Sequence, residues 1–434
     1  MTSPLRLGLA GLGTVGSATL SLLREHAETL TLRAGRPLVV TAVSARGRVK
    51  ARAVSVEGLA WEDNPLDLPK RPDVDVVVEL IGGASGVAPA LAEATFAAGK
   101  DLVTANKALL AAKGAELAHR AEDAGRRLMF EAAVGGGIPL IKTLRESLAG
   151  NHVRSVQGIL NGTCNYILTR MEAENLSFGV ALEGAQAKGY AEADPTADIE
   201  GHDTAHKLSL LAALAFGTAP NLADVTIEGI QRVTPVDFLY AARLGYRIKL
   251  LGVAHLTDEG LEQRVGPCLV PLESPLARVD DVLNAAQIEG DAVGALTLIG
   301  RGAGGRPTAS AVLADLVDLA RGTTVLPFGV RVRDLRSLPS SPPDKRVGEW
   351  YMRLHVKDQP GVVAEVSAIL RDEAISIESL LQHGRSETRE VPVIITTHAV
   401  DEASLRRASR RIGQLSVVRE EPFCLKIERP EDGA

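Results

Sequence analysis

Residues Gly11-Leu12-Gly13-Thr14-Val15-Gly16 follow the apolar run Leu5–Ala10 and open the amphipathic stretch SATLSLLREHA. A GxGxxG in that strand, turn and helix setting constrains the fold more than any other feature of the chain. Gly11 permits the tight turn, Gly13 lets a pyrophosphate approach the backbone, and Gly16 lets the helix pack closely. The helix N-terminus then offers N–H donors and a positive dipole to phosphate. A plain turn is the competing reading in a chain with 42 glycines, and the position between strand and helix favours nucleotide binding.

The motif begins a longer rhythm. Strand candidates at Leu5–Ala10, Leu38–Ser44, Val74–Ile81, Leu102–Thr104 and Arg127–Phe130 alternate with helix-length segments, the βαβ order of a parallel sheet covered on both faces. The expected fold is α/β, with a Rossmann-type nucleotide domain over 1–136. From 137 to 334 the texture is α+β, with helical patterns at Pro139–Ala149, Cys164–Ala173 and Thr204–Leu214 and β-like stretches at Ile248–Ala254 and Ala295–Ile299. This second domain is expected to carry substrate binding and dimerisation, with about 300–325 returning to the first. The Pro/Ser-rich segment LRSLPSSPPD marks a linker over 335–347. Residues 348–434 read strand, helix, strand, strand, helix, strand, a ferredoxin-like unit of a size to stand alone.

At 434 residues, the chain is long enough for two to four domains. Its net charge of −6 offers no global positive field to nucleic acid, and 3% aromatics leave little base-stacking surface. The three cysteines are widely spaced, which suits a reduced cytoplasmic chain without structural zinc. The N-terminus lacks the basic region and long apolar core of a secretory leader. No run approaches the roughly 18 apolar residues of a membrane span.

After the second strand no acid stands where a ribose 2′-hydroxyl is usually held. Arg46, Arg48 and Lys50 cluster there instead, and a guanidinium suits a 2′-phosphate. NADP(H) is therefore preferred, with NAD(H) possible; a solvated basic loop is the alternative. Further on, KGYAEADPTADIEGHDTAHK gathers Glu192, Asp194, Asp198, Glu200 and Asp203 ahead of an apolar helix. Asp203 and Lys207 stand four apart and share a helix face. A surface ion pair would explain them, but so many acids need a cation among them, and a substrate ammonium would serve. Carbonyl reduction needs a cationic, protic group at the oxygen where charge develops, and lysine beside a carboxylate fits. Lys107, after the strand LVTA, lies where open α/β sheets hold ligands.

Together the motifs GLGTVG, TANK, EAAVGGGIP, NGTCNYIL, GYAEADPTADIEGHDTAHK, GAGGRPTASAV and DQPGVV resemble homoserine dehydrogenase of the long bacterial type with a C-terminal ACT domain. The resemblance runs along essentially the whole chain, and its acidic segment is the most specific part. It implies reversible NAD(P)-dependent interconversion of L-aspartate 4-semialdehyde and L-homoserine, on the route to threonine, methionine and isoleucine. By motif position, Lys207 is the implied proton donor, Lys107 a second lysine at the reacting oxygen, and Asp203 the carboxylate beside them. Glu192 and Asp198, with Lys107, are implied substrate contacts. Gly189 and Gly304 fall beside the implied nicotinamide pocket, with Thr14, Val15 and Lys107 on the cofactor side. A monovalent cation, sodium, is implied in the EAAVGGGIP turn, held by Glu131 and main-chain oxygens of Val134, Gly136 and Ile138; oxygen ligation suits a hard cation. From the residues alone that turn asks only for unusual backbone angles.

Cys164 departs from the Thr or Ser associated with many relatives. A thiol near an aldehyde suggests acylating chemistry, but no local histidine partners it, and a small buried packing residue is the favoured reading. The loop Asp358–Val363 joins a strand to a helix where ACT units bind small amino acids, which implies feedback by L-threonine; dimerisation through sheet edges without a ligand is the alternative. A homodimer or homotetramer is implied.

Overall fold

The computed structural model describes residues 3–48, 50–382 and 390–429. Met1 and Thr2 of the N-terminal reading, Val49 of the basic loop, and residues 383–389 and 430–434 of the C-terminal unit lie outside the described residues.

The first sheet is parallel and six-stranded among the described residues, ordered Ala60–Glu62, Leu38–Ser44, Leu5–Ala10, Val76–Glu79, Asp101–Thr104, Leu128–Met129. Leu7, Leu9, Val76, Val77 and Val78 are buried, as a sheet covered on both faces requires. The strand order reverses between Leu5–Ala10 and Val76–Glu79, and ligands of such sheets bind outside the carboxyl ends at that point. The expected strand Val74–Ile81 is shorter because Asp75 turns to receive Arg6, main chain and guanidinium alike. Helix Gly305–Arg321 packs against helix Thr14–Glu25, so close that a Cβ on Gly305 would stand 3.1 Å from the Thr14 carbonyl oxygen.

The second sheet is mixed and eleven-stranded among the described residues. Helix His202–Phe216 lies across it and buries Ala205, Leu208, Leu210, Leu211 and Ala212. Helix Gly162–Glu174 covers the pattern at Cys164–Ala173. The expected helix Pro139–Ala149 is regular only over Leu140–Lys142 and widens to a π turn at Thr143–Ser147. Two features accompany the extra residue per turn: Thr143 Oγ1 donates back to the Pro139 carbonyl at 2.5 Å, and Arg145 is buried.

The C-terminal unit is the ferredoxin-like sheet, ordered Phe423–Ile427, Val347–Lys357, Glu390–Thr397, Ile377–Gln382, with helices Val362–Asp372 and Glu402–Gly413. It does not stand apart. Phe423–Ile427 pairs in parallel with Gly260–Pro271 of the second domain, so one sheet runs through both. Arg264 on that host strand is buried between Glu262 and Glu428. Burial and Arg264 push the neighbouring Lys426 ammonium down to about 8. Tyr351 Oη donates to Asp237 at 2.9 Å, and Arg353 pairs with the same fully buried carboxylate. The Pro/Ser-rich linker is fastened as well: Arg336 N–H donates to Gly217 and Ser341 N–H to Leu261.

Candidate active site

A cleft of about 930 Å³ opens at the switch point of the parallel sheet, walled by Gly11, Gly13, Thr14, Arg46, Lys50 and Arg306 among others. Gly11 has φ +104°, and a Cβ there would meet the Leu80 carbonyl oxygen at 2.5 Å. A Cβ on Gly16 would lie 2.0 Å from the Gly11 carbonyl oxygen, so its lack of a side chain lets the helix close on the turn. Nothing lies within 4 Å of a Cβ on Gly13, which leaves room for a phosphate at the helix start. These features fit a dinucleotide. Arg46, Arg48 and Lys50 are exposed, and Arg46 and Lys50 line the cleft. Arg52, which sequence reasoning passed over, donates to the carbonyls of Arg46, Gly47 and Lys50 and thereby shapes the loop. Val15 lies inside the helix, where its carbonyl accepts from Thr19. Gly304, φ +112°, precedes helix Gly305–Arg321, while Gly189 is exposed in the turn after helix Phe178–Ala187.

Lys107 is the first residue of helix Lys107–Asp123, directly beyond the strand Asp101–Thr104. Asn106 caps that helix by accepting from Leu109 N–H at 3.1 Å, and it donates to the Gly83 carbonyl at 2.8 Å. Thr104 donates to buried Glu79, which also receives Ile81 and Gly82 N–H. This network joins the loops after two neighbouring strands and fixes where Lys107 emerges.

From the second domain, Gly201 starts the helix that carries Asp203 and Lys207. Its φ of +89° and the Val265 methyl that a Cβ would meet at 2.9 Å both demand glycine. Lys207 Nζ lies 2.7 Å from Asp203 Oδ2 and donates to the Leu160 carbonyl at 2.6 Å. Lys107 Nζ stands 3.1 Å from Asp203 Oδ1, so the ion pair bridges the two domains. The Lys207 side chain is 8% exposed and that of Lys107 37% exposed: one ammonium is enclosed, the other meets solvent. Asn161 donates to Asp198 Oδ1 at 2.7 Å and to Asp203 Oδ2 at 2.8 Å. Burial alone would raise the Asp203 carboxyl, but Lys207 and Lys107 outweigh it and hold the group far below the usual carboxylate range. Asp198 goes the other way, raised by burial and by the charge of Asp203 against the bond from Asn161.

The bland surface pair is thus excluded for Asp203 and Lys207. Asp198 joins the network; Glu192 is exposed and stands outside it. Cys164 is fully buried, its thiol donates to the Asp198 carbonyl at 3.1 Å, and burial pushes it well above its ordinary value. Such a thiol is no nucleophile. Sequence reasoning missed Asn161, although Asn between a strand and a helix is a recognisable cap.

In the glycine-rich turn, Gly135 and Gly136 have φ +77° and +53°. Glu131 is buried and accepts from the N–H groups of Ile141 and Lys142. Burial and neighbouring Asp315 push its carboxyl up to about 7. Asp315 Oδ1 is a buried oxygen without a hydrogen bond among the described residues. Lys142, 3.6 Å from Asp315 Oδ1 and paired with Asp318, supplies positive charge nearby, and the carboxylate and carbonyl oxygens of the turn are donors of the kind a hard monovalent cation takes.

Two ammonium groups flank the Asp203 carboxylate beyond the carboxyl end of strand Asp101–Thr104, donors of the kind suited to an oxygen that gains negative charge. Comparison with known proteins agrees. A sequence-family model described as homoserine dehydrogenase matches residues 139–317, its NAD binding domain matches 11–131, and an ACT domain matches 350–417. The homoserine dehydrogenase of Neisseria gonorrhoeae is 42% identical, covering 99% of this chain and 100% of its own. A homoserine dehydrogenase structure from Thiobacillus denitrificans has a TM-score of 0.92 at 43% identity, covering 98% of each chain. A shorter chain from Archaeoglobus fulgidus, described under the same enzyme name, has a TM-score of 0.66 at 36% identity and covers 73% of this chain and 99% of its own. The chain belongs to the homoserine dehydrogenase family of NAD(P)-dependent oxidoreductases and carries that family's nucleotide domain at one end and an ACT domain at the other.

Proposed function

We propose that the chain interconverts L-aspartate 4-semialdehyde and L-homoserine in the cytoplasm, on the route to threonine, methionine and isoleucine, with NADP(H) preferred over NAD(H). The observation that carries this reading is the Lys107–Asp203–Lys207 triad beside the cleft. The bound nicotinamide supplies or accepts the hydride. Lys207 uses two of its three donors on Asp203 and Leu160 and keeps one for the substrate oxygen. In the direction of reduction it gives its proton to that oxygen, and Lys107, open to solvent, holds the second positive charge there. Asp203 fixes both ammoniums. Asp198 holds the substrate ammonium, with Glu192 at the rim. Gly11, Gly13, Thr14, Val15 and Gly16 hold the cofactor with Lys107, Gly189 and Gly304, and Arg46 takes the 2′-phosphate.

Glu131 and the main-chain oxygens of Val134, Gly136 and Ile138 hold sodium, which keeps Glu131 ionised. The ACT domain receives L-threonine at Asp358–Val363 and lowers activity. A route for this is supported by Glu228, which faces Arg232, Glu402 and Arg406, while Ile230 N–H donates to the carbonyl of Ile199, three residues before helix His202–Phe216. The chain works as a homodimer or homotetramer.

The deciding experiment is initial-rate oxidation of L-homoserine with NADP and NAD, with and without millimolar L-threonine. Turnover with NADP that threonine suppresses is expected. Failure with both cofactors overturns the reaction, and turnover indifferent to threonine overturns the effector.

A further inference from the structure

We infer that Asn161 is a positioning residue for the reaction, fixing the proton-handling carboxylate Asp203 and the carboxylate Asp198 in one register. Strand Val153–Ile159 ends two residues before it and helix Gly162–Glu174 begins directly after it. Asn161 is 5% exposed and its amide is fully committed. Oδ1 accepts from Cys164 N–H at 2.8 Å, which caps the helix, and the two Nδ2 hydrogens go one each to Asp198 and Asp203. An amide with all its bonds made cannot rotate without losing several at once. The preceding residue, Leu160, takes the Lys207 ammonium on its carbonyl. Two consecutive residues at a strand end therefore hold both Lys207 and Asp203 of the triad.

The arrangement matters because Asp198 and Asp203 are neighbours of like charge, and two carboxylates in contact stay ionised together only with donors between them. The Thr163 hydroxyl on the same helix donates to the Tyr190 carbonyl at 2.8 Å, while Asp203 and Lys207 act on Asp198 from helix His202–Phe216. Lys107 pulls the Asp203 carboxyl down, and burial lowers neighbouring His206, on which Asp203 and Lys107 act in opposite senses. Without the Asn161 amide, Asp198 loses a donor that opposes its protonation. The inference rests on the reading of Asp198 as the holder of the substrate ammonium.

Asn161→Ser and Asn161→Asp test it, because both side chains still cap Cys164 N–H and neither can donate to both carboxylates. Loss of a hydrogen bond to a charged group predicts a fall in kcat/KM for homoserine of about 10- to 100-fold. The acid limb of the kcat/KM profile should move to higher pH by about one unit in the serine variant and further in the aspartate variant, where a third carboxyl is added. Carbon-13 titration of the labelled aspartates should show the same order of shifts without any turnover. Wild-type acid limbs and wild-type titrations in both variants, whatever their melting temperatures, would overturn the positioning role. A wild-type protein that titrates as described but does not oxidise homoserine would instead sink the reading of the substrate.

Discussion

Replacing Arg353 by methionine should loosen the C-terminal unit from the enzyme. Asp237, at the third position of helix Pro235–Arg243, has no solvent exposure. It accepts from Thr234 N–H and Oγ1 and from Tyr351 Oη, and Arg353 supplies its positive charge. Methionine keeps most of the volume but leaves an ionised carboxylate held by neutral donors only, a loss of about 3–5 kcal/mol when a buried pair is broken from one side. The stacking of Arg353 on Phe423, 4.9 Å to the ring centre, is shared with Arg232 at 5.0 Å, so its loss adds little. The chain has two tryptophans, Trp61 in the nucleotide domain and Trp350 on the first ACT strand. In a Trp61→Phe background, urea unfolding followed by fluorescence therefore reports the junction. At about 1–3 kcal/mol per molar of urea, the midpoint should fall by about 1 M or more. The double variant Asp237→Asn/Arg353→Met should recover most of the loss, since no charge is left buried. A midpoint within about 0.3 M of the parent, or a double variant no better than the single, would refute the buried-pair argument.

Other consequences can be measured directly. Lys207→Ala should lower kcat by about two to four orders of magnitude, the usual worth of a general acid; stopped-flow turnover near the wild-type rate would remove it from the mechanism. Arg46→Asp should raise KM for NADP more than for NAD, and an unchanged ratio of specificity constants would return the loop to ordinary surface charge. Glu131 sits above its ordinary value, so its protonated form is favoured on folding and its contribution is complete at low pH, then lost as pH rises from about 4.5 through about 7. In choline buffer, the stability difference between wild type and Glu131→Gln should shift against the wild type across that window. Sodium at equal ionic strength should shrink the shift, and calorimetry showing no pH-dependent difference would contradict it.

The nucleotide domain was open to reading because its signals are local: an apolar run, three spaced glycines, then a helix. The pairing of Asp203 with Lys207 was equally legible from helical spacing. Its partner Lys107 lies 96 positions before Asp203 in the chain, and only tertiary folding could show that they meet. Asn161 stayed hidden because a helix cap explains its type, whereas its other two bonds reach across to two further helices. The strand Gly260–Pro271 escaped notice for a different reason. Glu262, Gln263 and Arg264 interrupt its apolar pattern and suggest surface, yet all three are buried, two of them in ion pairs whose partners include the C-terminal unit. The apparent linker misleads likewise, since Pro and Ser describe its backbone and not the edge to which it is fastened.

The shared sheet also bears on what happens when synthesis stops early. A ribosome that releases the chain near Leu335 would deliver every residue of the proton-handling network but leave one side of Gly260–Pro271 without its neighbour, with Arg264 deprived of Glu428 and Glu262 of Lys426. An uncovered strand edge of that kind is a template for aggregation. A nonsense mutation there should therefore yield inclusion bodies or proteolytic fragments in place of a working enzyme. Changes in the C-terminal unit are then expected to be tolerated best as point substitutions within the full-length chain, where the ladder of main-chain bonds stays closed.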